Sequence, residues 1–508
     1  MLRFSPLMLK IYLCLPMFKL FPKYFIILSV IIISFSSCKK EDEFNTDFSA
    51  RLEFSQDTVL FDTVFVQTGS ATEIFTVRNK NDRAIKISSV RIGGGNASYY
   101  RLNVNGTPGK SFSDVEIGAN DSIFIFVEVT IPDPNSPNTP FIVNDSIVFN
   151  LNGHFQQVNL VSWGQRAHFH HGNPAVLLNC NDVWTNDLPH VIYGYAIVDS
   201  GCTLTIEHGA RVHFSPGSLL WVLSSGTLKV NGTLQEPVTF EGSRLGAEFK
   251  DNPGQWHGIW LSSYTHNRLF NNVADIGPGA KNCSINYAII KNGNIGLQVD
   301  TVFSPGSTGI QLDNTVIKNM AGVGLYALGS SVKANNCVFA NCGQYLAALV
   351  FGGNHRFLHC TFADYWSRDN RQTPSILINN YYLNSVRSID SAYFGNCIVY
   401  GNIGTEIGLD SLTASPAGSN NYFFDHCLLK VEANFSTSSS LHYNSIIRGN
   451  DPLFKNTDDN NYEIDSTSIA VDAGILSITN LSPVLSTDLK GTTRPLGNAP
   501  DLGAYERR

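Results

Sequence analysis

The chain has 508 residues, 43% of them apolar, enough to bury a sizeable core spread over two or three domains. Only 15% are Asp, Glu, Lys or Arg and the net charge is −7, so there is no basic field suited to a phosphate backbone, and no nucleic acid is expected as a partner. Abundant glycine, few methionines and recurrent short runs of Val, Ile, Thr, Asn and Ser describe many strands joined by turns, with no long amphipathic helix.

At the N-terminus, Lys19 and Lys23 precede an apolar run from Tyr24 to Phe35, followed by Ser36, Ser37 and Cys38. This is the layout of a secretion signal, to which the residues before Met17 are superfluous. Two small residues ahead of Cys38 resemble the lipobox of bacterial lipoproteins, with Phe35 where that motif usually has Leu, Val or Ile. The resemblance implies that Cys38 becomes the first mature residue and carries a lipid anchor, including palmitate. The alternative is an uncleaved membrane helix, which needs about 20 apolar residues. Lys39, Lys40, Glu41, Asp42 and Glu43 resemble the lysine-plus-acidic export tag of surface lipoproteins in one group of Gram-negative bacteria, implying the outer face of the outer membrane. An ordinary solvated linker is the alternative. Residues 1–37 thus read as the signal and 38–48 as the linker.

From 49 to 166, Ile74–Val77, Ile85–Ile87, Ile123–Val129 and Ser146–Phe149 are apolar runs separated by Gly, Asn and Pro, which is strand spacing for a β-sandwich. The stretch resembles immunoglobulin-like modules of envelope proteins, with Asn120-Asp121-Ser122 leading into the longest run. It would act as a spacer and cover the open N-terminal edge of the next domain.

Residues 167–450 repeat. Asn282-Cys283, Asn314-Thr315, Asn336-Cys337, His359-Cys360, Asn396-Cys397 and His426-Cys427 each lead into a short apolar run. A second register, Ile289-Ile290-Lys291-Asn292 and Val316-Ile317-Lys318-Asn319, leads to Gly296-Leu297 and Gly324-Leu325. Coils of similar length with inserted loops describe a parallel β-helix, whose corners favour Asn or Gly because they need positive φ. The repeated cysteines read as a stack of buried, reduced thiols, although disulfides or metal ligation are also open. No CxxC pair points to zinc. The units Leu204–Gly209, Leu219–Val222, Gly226–Gly232 and Pro237–Phe240, with Pro253-Gly254-Gln255-Trp256-His257-Gly258, resemble right-handed parallel β-helix proteins of the pectate-lyase-like superfamily. The segment 451–508, with Asp472, Asp488, Arg494-Pro495 and Asp501-Leu502-Gly503-Ala504-Tyr505-Glu506, resembles the ending of bacterial surface β-helices and is expected to cover the far end of the solenoid.

Solenoids carry function on loops that interrupt the coils. The long interval after Cys360 contains Asp364, Tyr365, Trp366, Arg368, Asp369 and Arg371, preceded by His355, Arg356 and His359. Aromatic faces stack on sugars, and Arg and Asp hold hydroxyls or uronate carboxylates, so this set resembles a glycan-binding groove. Trp256 and His257, with Trp260, Tyr264 and His266, form a second candidate, for which core packing of at least one Trp is the alternative. His168, His170 and His171 could ligate a metal or simply mark a domain junction. A lyase would use Arg368 or Arg371 as base or uronate partner, with calcium possible on Asp364 and Asp369. The polygalacturonase-like motifs are not met, since Asn456-Thr457-Asp458-Asp459 stands as a single run in the C-terminal segment. The expectation is therefore a surface lipoprotein that binds an extended polymer, polysaccharide being the best match. The alternatives are a polysaccharide lyase or glycoside hydrolase acting through the 364–371 loop, and an adhesive or structural envelope protein.

Overall fold

The computed structural model describes residues 44–133, 141–271, 275–300, 309–412 and 420–507, so Cys38 and the whole leader lie outside the described residues. Two five-stranded sheets pack face to face at the N-terminal end. Their strands alternate in burial, as in Ser122–Val129, where Ile123, Ile125, Val127 and Val129 face inward. That period-2 pattern is what a sheet with one wet face requires. Within the core, Tyr100 is fully buried and its hydroxyl is satisfied, donating to the Val143 carbonyl at 2.8 Å and lying 2.9 Å from Ser162 Oγ.

The strand His154–Gln165 ends the sandwich, and His168–Leu177 begins a parallel β-helix. Three ladders of parallel strands, here called faces A, B and C, wind around one apolar interior. Face A runs from Asp182–Trp184 through Thr203–Glu207 and Thr227–Asn231 to Tyr443–Asn444 as one ten-stranded sheet. Faces B and C start from a shared strand, His190–Val198, whose first half pairs with Arg211–Phe214 and second half with Leu219–Val222. Identical positions of successive coils stack about 4.8 Å apart. On face A the inward column Ile206, Val230, Ile285, Leu312, Ala334, Phe357, Phe394, Phe424, Tyr443 stays in register throughout. Its last rings stack at 4.9, 4.6 and 5.9 Å.

The corner from face A to face B explains the Asn/His-Cys repeat. Asn314, Asn336, His359, Asn396 and His426 all take φ between 49° and 51°, a left-handed conformation that Asn tolerates better than most residues. Their side chains climb from coil to coil, with Asn336 Nδ2 donating to Asn314 Oδ1 at 3.1 Å and Asn396 Nδ2 lying 2.9 Å from His359 Nε2. The next residue, Thr315, Cys337, Cys360, Cys397 or Cys427, turns inward and is fully buried. Cys283 departs from the expected series. It faces the interior of face A between Leu228 and Ile310, and the position equivalent to Thr315 is Ala288. Asn282, at φ 54°, serves the other corner of its coil, where the residues stacked with Cys283 are the larger Ile310, Val332 and His355. Burial pushes the thiols of Cys337, Cys360 and Cys397 well above their ordinary range, which keeps them neutral and unreactive. Cys180 and Cys202 are joined by a disulfide between neighbouring coils, with Cα atoms 4.8 Å apart.

The segment from 451 onward does not cover the end of the solenoid. It folds back along the flank, laying Tyr462, Leu489 and Ala504 on Val338, Ala340 and Ala363, and Ile464, Ala470 and Leu502 on Ile398, Tyr400 and Leu428. The outer side of face B carries small or apolar residues here, and burying them is the physical reason for the return path. Gly503, at φ 86°, sits where a Cβ would come within 2.5 Å of Thr361 Oγ1, and the neighbouring Ala504 amide donates to that hydroxyl at 3.0 Å. The Leu-Gly-Ala run is thus a contact surface: a buried leucine, a glycine that permits close approach and an alanine that fits beneath.

Candidate functional site

The loop after Thr361–Asp364 leaves face B and reaches face C at Ile376–Asn379. Its two ends are sealed inside. Arg371 forks onto Glu406, Nη1 to Oε2 at 2.9 Å and Nη2 to Oε1 at 2.7 Å, and the guanidinium also donates to the Asp364 carbonyl at 3.2 Å. Glu406 accepts further bonds from the Ser375 amide and hydroxyl and the Ile403 amide. Asp364 lies 3.4 Å from Arg371 Nε, and its Oδ1 accepts the Cys342 amide at 3.2 Å. Burial raises the Asp364 carboxyl to about 7, opposed by the charge of Arg371 and reinforced by that of Glu406. Asp364 and Glu406 are fully buried and Arg371 nearly so, so their polar atoms are committed to holding the corner and reach no ligand at the surface.

The rest of the loop covers this cluster. Trp366 is buried against Gly343 and donates from Nε1 to Asp369 Oδ1 at 2.6 Å. Tyr365 lies under the returning C-terminal segment, its ring 6.1 Å from Phe454 and 6.4 Å from Tyr462. Arg368 stays exposed and donates to the Asp251 carbonyl at 3.1 Å. Of the other sequence candidates, His355 is a core residue whose Nε2 lies 3.3 Å from the Gly352 carbonyl, and burial lowers its pKa to about 4. Arg356 points outward on face A, in register between Lys333 and Tyr393. Trp256 is fully buried, stacked on Phe214 at 3.9 Å, while its neighbour His257 is exposed. The structure does not bring Trp256 and His257 together with the 364–371 loop into one ligand surface.

The rings of His170, Trp184 and His190 are mutually stacked, with the centroid of His170 4.4 Å from Trp184 and 5.4 Å from His190, and His168 pairs with Asp187 at 3.0 Å. Burial, then the neighbouring histidines, lowers the pKa of His170 to about 3. Alternating along the opening strand of the solenoid, His168, His170 and His171 do not converge on a point. Among the described residues, no group of three or more His, Cys, Asp or Glu is placed to hold a metal ion.

An aromatic surface open to solvent lies on face C. Its strands Ile295–Asp300, Val323–Leu328, Tyr345–Val350 and Ile376–Asn379 turn alternate residues outward. Together with the hairpin of Tyr381–Tyr382 and Ser385–Val386 they shape an open groove of about 450 Å³ lined by Tyr326, Tyr345, Tyr381, Tyr382, Gln344 and Asn379, among others. Each tyrosine is half-buried, and the rings of Tyr326, Tyr345 and Tyr382 pack on Val323, Leu328, Ala348, Val350 and Phe351. Burial raises Tyr326 to about 12, and the hydroxyl of Tyr381 donates to Asp410 Oδ2 at 2.6 Å. These phenols therefore stay protonated, able to give and to receive hydrogen bonds. Upstream, the same outward column continues through Gln298 to Trp260 and Trp221, which stack at 4.5 Å beside the segment that contains Tyr264 and Leu269.

None of the four tyrosines was legible as a site residue, because each sits inside a strand. A signal did exist: in the repeated Gly-Leu of Gly296-Leu297 and Gly324-Leu325 the leucine faces in, so the next residue, Gln298 or Tyr326, must face out. Glu406 gave no comparable signal, since 35 residues separate it from Arg371.

No family model matches the sequence, and no curated protein matches it. Among solved structures, a family 123 glycoside hydrolase from Clostridium perfringens is 10% identical over 22% of this chain and 25% of its own, with a TM-score of 0.16. The full-length tailspike protein 2 of Escherichia coli O157:H7 bacteriophage CAB120 is 13% identical over 53% of this chain and 34% of its own, with a TM-score of 0.34. The catalytic domain of a GH87 alpha-1,3-glucanase is 9% identical over 80% of this chain and 90% of its own, with a TM-score of 0.22. The chain thus spans a quarter of the first of these proteins and about a third of the second.

Proposed function

We propose that this chain is a lipid-anchored protein of the outer membrane surface that binds an extended polysaccharide along the tyrosine groove of face C, without cleaving it. The single observation that carries the binding reading is the groove itself: four tyrosines on three successive coils of a groove that spans four, flanked by the amides of Gln344 and Asn379. A solenoid repeats its outer surface about every 4.8 Å, so the groove runs for roughly 14 Å along the axis and suits a chain of repeating units better than a compact ligand. Aromatic faces cover the C–H faces of sugar rings, while amides and phenols meet their hydroxyls. Because Asp364, Arg371 and Glu406 are sealed inside and paired with one another, the loop that holds them acts in this reading as a brace beside the groove.

Replacing Tyr326 or Tyr345 by alanine should weaken glycan binding about tenfold each, the loss of a stacking contact of about 1–1.5 kcal/mol. Titration calorimetry against whichever polymer a glycan panel identifies reads this directly. Affinity unchanged in both variants would remove the groove from the proposal.

Anchorage is supported by the leader ending in Ser36-Ser37-Cys38 and by the Cys180–Cys202 disulfide, a bond typical of exported proteins. Cells fed labelled palmitate should incorporate it into the wild-type chain and not into Cys38→Ser. Label retained by that variant would refute the anchor.

A further inference from the structure

Resting on the polysaccharide reading, we propose that the tyrosine groove selects uncharged chains and turns away polyuronates. Every polar group that lines it is neutral, namely the amides of Gln344 and Asn379 and the phenols of Tyr326, Tyr345, Tyr381 and Tyr382, and no Lys or Arg is among the lining residues described. A uronate carboxylate is normally met by a guanidinium fork or an ammonium. The Arg371 fork is already spent on Glu406 inside the corner, and the outward cations Lys333 and Arg356 stand on face A, a different side of the solenoid.

The carboxyl groups beside the groove are of the wrong sign for an acidic polymer, and the cation at the base of the hairpin, Arg387, packs on Gly352 with Nη1 donating to the Gly329 carbonyl. Asp410 is exposed and lies in register with Asn379, Val350, Leu328 and Asp300 on successive coils, so a carboxyl group stands at each end of that column. The phenol of Tyr381 is raised in pKa chiefly by its hydrogen bond to Asp410, while those of Tyr345 and Tyr326 are raised chiefly by burial, with a smaller part from Asp410 and Asp300 respectively. An anionic chain laid along the tyrosines would have its carboxylates beside these groups without a counter-charge, which costs affinity through repulsion and unpaired desolvation. A neutral chain meets no such penalty.

The experiment is affinity electrophoresis of the full chain through gels containing neutral polymers (β-glucan, xylan, mannan) or acidic ones (polygalacturonate, alginate). It is run at low ionic strength, once with EDTA and once with added calcium. The expected result is retardation by at least one neutral polymer, abolished by Tyr326→Ala, with acidic polymers at least tenfold weaker in both conditions. Asp410→Lys, or Leu383→Lys at the exposed hairpin tip should the first variant fold poorly, is expected to raise affinity for acidic polymers. Acidic polymers binding as tightly as neutral ones and losing that binding in Tyr326→Ala would overturn the selectivity while leaving the groove in place. So would acidic binding that appears only with calcium, since carboxylates would then be recruiting the ion. Retention of neither class would overturn the polysaccharide reading itself, and the selectivity with it.

Discussion

Replacing Arg494 by methionine is expected to destabilise the protein by about 3–5 kcal/mol, the cost of breaking a buried ion pair from one side. Arg494 is buried, and each of its three nitrogens has a partner: Nε donates to Glu506 Oε2 at 3.1 Å, Nη1 to Asn336 Oδ1 at 2.6 Å and Nη2 to the Gly503 carbonyl at 3.2 Å. The first and third hold the C-terminal segment to itself, and the second joins it to the corner column of the solenoid. Glu506 accepts the amides of Leu496 and Asp501, and Asp488 accepts those of Lys490, Thr492 and Glu506, so a loss at Arg494 spreads through a shared network. Denaturant unfolding would measure the change, and Glu506→Gln should cost less, since it keeps the shape and one acceptor. A loss under about 1 kcal/mol for Arg494→Met would mean that the segment is held by its apolar contacts alone.

The second large effect concerns Arg371 and Glu406. Arg371→Met leaves the Glu406 carboxylate buried without its counter-charge and should again cost about 3–5 kcal/mol. Asp364→Asn should behave differently, because burial already favours the neutral form of Asp364, raised from 3.8 to about 7. For a carboxyl whose pKa is higher folded than unfolded, the folded state holds the extra proton, and the contribution to stability falls as pH rises from about 4 to 7. A carboxamide at this position cannot titrate, so the variant should gain on the parent chain across that window. Melting curves of Asp364→Asn and the parent from pH 4 to 8 would test the sign, and a variant that loses ground as pH rises would contradict it.

Much of the solenoid was written in local pattern. A left-handed Asn or His followed by a small inward residue recurs because every coil passes the same corner, and stacking repeats the same steric demand. Cys283 was misplaced because Asn282-Cys283 matches that local pattern by itself, while its column, Ile310, Val332 and His355, belongs to the other corner. Contacts that join distant segments left no such trace. Nothing near Arg371 announces Glu406, and nothing in the spacing of 451–508 tells that Tyr462 and Leu489 lie along face B instead of across the last coil. Burial was hidden for a related reason: loops rich in charge attract attention, yet Asp364 and Arg371 are inside, while Tyr326, between Leu325 and Ala327, lines the open groove.

The return path of the C-terminal segment also sets an order of events during synthesis. Each coil can dock on the one before it as the chain emerges, but Val338, Ala340, Ala363, Ile398 and Leu428 receive their covering residues only from the final stretch, which ends with Ala504 and Glu506. Until that stretch arrives, a greasy strip several coils long faces the solvent. A chain cut short near its end would keep that strip exposed for good, and holdase chaperones or proteases of the compartment would meet it there.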